Sequence, residues 1–152
     1  MSKIYLATKE IMPLIKESLV SGQRISLTVT GGSMFPLFTH ERDSVVLEKA
    51  IVYKPRDIVL YVRDDDTPVL HRIVSKKEDG YGMCGDNQQV EEYPISEEQI
   101  LGKVSEFVRK GKKISVENKW YKFYSFIWCL GLKHRKILLF LPLKLVSLKN
   151  KK

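Results

Sequence analysis

The chain has 152 residues, 43% of them hydrophobic, which suits one domain with a core of its own. Neither a long low-complexity tract nor a covering repeat runs through it, which excludes a repeat solenoid. The formal net charge of +8 is unevenly placed: Asp64-Asp65-Asp66 and residues 91–98 are acidic, while from Val108 onward the only acid is Glu117. A polyanionic partner, membrane surface or nucleic acid, therefore concerns the C-terminal third.

In chain order, Lys9, Glu10, Lys16 and Glu17 interrupt any apolar run near the start, so neither a secretory signal nor a membrane anchor is expected there. Apolar residues through Leu19 instead take helical spacing, with Pro13 the awkward point and Ser21-Gly22 the stop. Residues 1–24 are read as an N-terminal helix. Period-two alternation then begins at Ile25 and predicts strands over 25–30, 44–50, 57–63, 68–75, 81–84 and 100–108, with 88–98 a polar loop. Residues 25–110 form a mainly β core on this reading.

Residues 111–152 are read as a basic, hydrophobic, helical extension. Two apolar stretches, 123–132 and 137–146, flank Lys133-His134-Arg135-Lys136. Each is about half the length that crosses a bilayer, and together they would bury a basic cluster at mid-membrane. A helix pair packed on the β core, or lying in a membrane interface, is expected instead. The aromatic run from Trp120 to Trp128 suits either. The two cysteines, Cys84 and Cys129, lie in no metal pattern and suggest a reducing, cytoplasmic setting.

Three short motifs carry chemistry. In Thr30-Gly31-Gly32-Ser33-Met34-Phe35-Pro36 a serine follows glycines at a strand end, where backbone N–H groups are left to face an oxyanion. In Val69-Leu70-His71-Arg72-Ile73-Val74 the alternation puts His71 on one face and Arg72 on the other. Imidazole titrates near neutrality and can serve as a base. Cys84-Gly85-Asp86-Asn87 is turn chemistry that ends in a carboxylate. His40 and His134 are read as solvated, and Asp64-Asp65-Asp66 lacks the spacing of a calcium loop.

In this order the motifs resemble the type I signal peptidases and the wider signal-peptidase and LexA-like (S24/S26) superfamily. The series is Ser-Met-x-Pro, then Asp57-Ile58-Val59, then His71-Arg72-Ile73-Val74, then Gly85-Asp86-Asn87. Many bacterial members carry lysine where His71 stands, so the pattern looks like the endoplasmic-reticulum type, which pairs serine with histidine. The resemblance implies a coiled β-sheet fold and a serine endopeptidase cutting an extended peptide, such as a leader or precursor. It implies Ser33 as nucleophile, His71 as general base and Asp86 behind His71. Gly31, Gly32, Ser33 and Met34 would form the oxyanion and substrate side.

Two positions depart from the family pattern. Gly31 stands where a serine hydroxyl often helps the oxyanion, leaving Thr30 as the nearby hydroxyl. Arg56 stands where a glycine usually precedes the aspartate of the third strand. With no anchor and only 24 residues before the first strand, neither a housekeeping signal peptidase nor a DNA-binding, self-cleaving repressor is expected. A stand-alone enzyme, cytoplasmic or peripheral to a membrane, fits better. The expected partners are a peptide substrate and an anionic membrane surface reached by the C-terminal segment; nucleic acid and cofactors or metals are not expected. A non-catalytic peptide- or membrane-binding member of the same fold is the alternative.

Overall fold

The computed structural model describes residues 9–135 and Ile137. After a short 3-10 turn at Lys9–Ile11, helix α1 covers Met12–Val20. Pro13 lies in its first turn, where a missing N–H breaks no helical bond, so the residue that looked awkward is a starter. Met12, Ile15 and Leu19 are buried toward the sheet.

Eight strands follow: β1 (Ile25–Thr28), β2 (Ser44–Glu48), β3 (Ile58–Val62), β4 (Pro68–Lys77), β5 (Gly80–Cys84), β6 (Glu92–Ile95), β7 (Ile100–Arg109) and β8 (Lys112–Ser115). They join in one antiparallel sheet, ordered β1-β2-β7-β3-β4-β5-β6, with β8 also paired to β7. The mainly β architecture agrees with the alternation of the sequence. Two expectations are corrected. Residues 92–95, read as loop, pair with β5, with Tyr81 opposite Ile95 and Met83 opposite Glu92, because the buried Ile95 adds to an apolar face. The C-terminal extension begins as a strand: Lys110 and Gly111 take positive φ and turn the chain back along β7.

Alternation along β3 and β4 feeds two cores. Leu60 and Leu70 join the larger one, with Leu27, Leu47 and Phe107. Val59, Tyr61 and Ile73 join a smaller one, with Met83 and Ile95. His71 lies opposite Val59 in the β3–β4 register, on the side of the smaller core, while Arg72 faces the other way.

Helix α2 spans Lys119–Leu130, and the Asn118 side chain caps it by accepting from the Trp120 and Tyr121 N–H groups. It packs Tyr121 against Phe107 and buries Ser125 and Trp128. Apart from Ile137, the second apolar stretch lies outside the described residues. Among those residues no helix is long and apolar enough to cross a membrane.

Candidate active site

Ser33 follows a loop whose sharp bend needs Gly31 at φ 79°. The Gly31 N–H donates to His40 Nδ1 at 2.9 Å, so His40 props the Ser33 loop even though its side chain is half-exposed. From the other side Asn87 holds the loop: its N–H donates to the Ser33 carbonyl at 2.8 Å and its Nδ2 to the Gly32 carbonyl at 3.2 Å. Gly85 must lack a side chain, because a Cβ there would lie 2.5 Å from the Ser33 carbonyl oxygen. Among the described residues no acceptor takes the Ser33 N–H, which leaves it available to an oxyanion.

Ser33 and His71 line one cleft of about 400 Å³, together with Val29, Thr30, Met34, Val69 and Leu70. Of the expected oxyanion and substrate side, Met34 roots its side chain in the larger core, whereas Gly31 and Gly32 are exposed on the loop. Ser33 and His71 share no direct hydrogen bond. Such bonds commonly tighten only around a substrate.

His71 is 3% exposed and its Nδ1 lies 3.2 Å from the Tyr61 hydroxyl. Tyr61 donates to Glu92 Oε2 at 2.7 Å, and Glu92 in turn accepts two bonds of 2.8 Å from the Arg63 guanidinium. A phenol has one proton, and the carboxylate takes it. Tyr61 can then only accept from His71. The proton therefore sits on Nδ1, and Nε2 is the basic nitrogen. Burial and the Glu92 carboxylate hold the Tyr61 phenol well above its usual range, so its proton stays in place. The Arg63 ion pair and the Tyr61 bond keep Glu92 below the usual carboxylate range. Burial, with the Arg63 charge added, pushes the imidazole down to about 4, against the opposing pull of Glu92 and Asp86. His71 is therefore neutral at pH 7.

The expectation that Asp86 sits behind His71 is corrected. Asp86 accepts from Arg72 Nε and a terminal nitrogen, at 2.8 Å each, and from Tyr124 Oη at 2.9 Å. The reason is alternation. His71 and Arg72 are neighbours on β4 and point to opposite faces, so the carboxylate that pairs Arg72 lies away from His71. Both members of the pair are fully buried, and helix α2 closes over them: Tyr121 and Ser125 accept from Arg72, and Trp128 Nε1 donates to the Asp86 carbonyl. Arg135, placed by sequence in a basic cluster, is also fully buried and donates to the Gly85 and Gln88 carbonyls. Asp86 thus joins strand β4 to the loop that holds Ser33.

Tyr61, Glu92 and Arg63 went unnoticed in the sequence. The signal for Tyr61 was within reach: with Val59 opposite His71, Tyr61 is the diagonal neighbour on the same face. Glu92 offered no such signal, because it comes from a segment that read as loop.

Among curated proteins none matches the chain. The sequence model of the Peptidase S24-like family matches residues 3–105. That segment contains Ser33, His71, Asp86 and the Tyr61–Glu92 pair, and it stops short of α2. With the motif order, the antiparallel sheet and more than half of its length in agreement, the chain belongs to the Peptidase S24-like family.

Proposed function

We propose that the chain is a serine endopeptidase in which Ser33 attacks and His71 is the general base. One observation carries the reading: a buried imidazole in the Ser33 cleft has its Nδ1 tied through the Tyr61 hydroxyl to the Glu92 carboxylate. This favours a basic Nε2, the nitrogen a serine hydroxyl needs.

As Ser33 Oγ bonds to the scissile carbonyl carbon, its proton passes to His71 Nε2. The carbonyl electrons move to oxygen, where the Ser33 N–H donates to them. The imidazolium charge faces Tyr61 and, behind it, Glu92. Collapse of the tetrahedral species breaks the C–N bond, and Nε2–H supplies the proton to the leaving amine. Water then attacks the acyl carbon and gives a proton to His71 Nε2; collapse breaks the C–Oγ bond, and Nε2–H returns that proton to Ser33 Oγ.

The substrate is an extended peptide with small or medium apolar side chains. Val29, Met34, Val69 and Leu70 offer apolar wall, and Val29-Thr30 continue the edge strand β1, along which a strand could add. The test is a mixed peptide library rich in small residues, incubated with the full chain and read by mass spectrometry. Products from wild type that vanish in Ser33→Ala and His71→Ala support the enzyme. An intact library after incubation with folded wild type moves the reading to a peptide binder.

A further inference from the structure

Helix α2 is apolar on both sides. Tyr121, Ser125 and Trp128 turn inward, while Phe123, Phe126 and Leu130 form an outer stripe 66%, 47% and 69% exposed. Trp120 extends it at 50%. An exposed apolar stripe of this kind marks an interaction face, yet nothing among the described residues covers it.

The rim is cationic. The guanidinium carbons of Arg56 and Arg109 lie 5.9 Å from the ring centres of Phe126 and Trp120. Lys119 and Lys122 are exposed on the helix, Lys122 in an ion pair with Glu117, and Lys133 follows it. From Val108 onward the sequence holds one acid, Glu117. Aromatic and aliphatic side chains ringed by lysine and arginine match the two layers of an anionic bilayer surface, an acyl boundary beneath a negative headgroup plane. Other occupants fit less well. A second copy would bring two like-charged rims together.

We propose that the outer face of α2 docks the protein on an anionic lipid surface, with Phe123, Phe126 and Leu130 in the interface and the cationic rim at the headgroups. The helix also closes over Arg72 and Asp86, so the lipid-facing element is part of the frame that holds Ser33. The proposal stands whether or not the cleft turns over substrate.

The test is flotation of the full chain with vesicles of phosphatidylcholine alone or mixed with phosphatidylglycerol, at low and high salt. Binding to the mixed vesicles is expected, with loss as salt rises. Lys119→Gln and Lys122→Gln should each weaken it about fivefold. The pair Phe123→Ser and Phe126→Ser should weaken it on the order of tenfold or more at an unchanged melting temperature. In wild type, lipid should shift the emission of the exposed Trp120 to the blue, which needs no variant. Wild type that stays unbound at low salt overturns the proposal. So does equal flotation by the Phe variants, which would assign binding to residues after Ile137. A dimer that the Phe variants dissolve without any vesicle binding also overturns it, as does binding of an oligonucleotide in place of vesicles.

Discussion

Tyr61 and His71 are diagonal neighbours across the β3–β4 ladder, and the tyrosine hydroxyl stands 3.2 Å from the histidine Nδ1. The phenol is a spacer that lets a carboxylate two strands away, Glu92 on β6, act on an imidazole it does not touch. Tyr61→Phe removes the acceptor for Nδ1–H, frees the ring tautomer and leaves Glu92 without that donor. It should lower kcat on the order of a hundredfold with KM little changed. Glu92→Gln should cost less, about tenfold, because an amide oxygen can still accept from Tyr61. Steady-state kinetics on a cleaved peptide check both, and nitrogen chemical shifts of His71 check the tautomer. Wild type should show a protonated Nδ1 and a bare Nε2 at neutral pH; the reverse would contradict the hydrogen-bond order.

The pH profile follows from burial of the imidazole. In the proposed mechanism His71 acts in its neutral form; with burial pushing its pKa down to about 4, the acid limb of kcat/KM should fall near pH 4 rather than at the ordinary histidine value. Glu92→Gln should move that limb lower still, because it removes a charge that favours the imidazolium and leaves Arg63 unpaired. The same depression sets a stability trend. Between the unfolded value near 6.5 and the folded value of about 4, the unfolded chain binds more protons, so stability falls as pH falls through that window. His71→Gln should flatten the slope there, by roughly 3 kcal/mol over the window at most. Denaturant titrations at stepped pH measure it.

Asp86 and Glu92 should separate cleanly in experiment. Asp86→Asn strips a fully buried Arg72 of its counter-charge and should cost on the order of 3–5 kcal/mol in stability. Activity then falls with the folded fraction. Glu92→Gln lies at the surface end of its relay and should leave the melting temperature within a few degrees while lowering kcat. Thermal melts beside kinetics decide it. Loss of kcat in a fully folded Asp86→Asn protein would return Asp86 to the catalytic relay.

Arg56 takes φ 82°, a conformation that favours glycine. Its N–H donates to the Ile73 carbonyl at 2.7 Å, and its own carbonyl accepts from Arg72 at 3.0 Å, so the backbone here is fixed from both sides. Arg56→Gly should relieve left-handed strain and raise stability by about 0.5–1 kcal/mol, measured as a higher melting temperature.

The strands and the order of the motifs were legible because alternation of apolar residues fixes which face a side chain takes, and His71 and Arg72 fall on opposite faces by that rule alone. The rest depended on register and on long-range closure. Tyr61 becomes the partner of His71 only once Val59 is known to lie opposite it. Glu92 needed the pairing of β6, whose polar sequence resembles a loop, and the burial of Arg135 needed the chain to return beneath Gly85. Asp86 was drawn to His71 by the serine-peptidase pattern, but the buried guanidinium of Arg72 is the stronger claim on its charge.

The most direct measurement is covalent. Incubating the full chain with an activated peptide ester, quenching in acid and mapping the digest by mass spectrometry should place the acyl group on Ser33, with none on the Ser33→Ala protein and slow labelling of His71→Ala. An acyl group on another residue, or ester turnover that survives Ser33→Ala, would contradict the account.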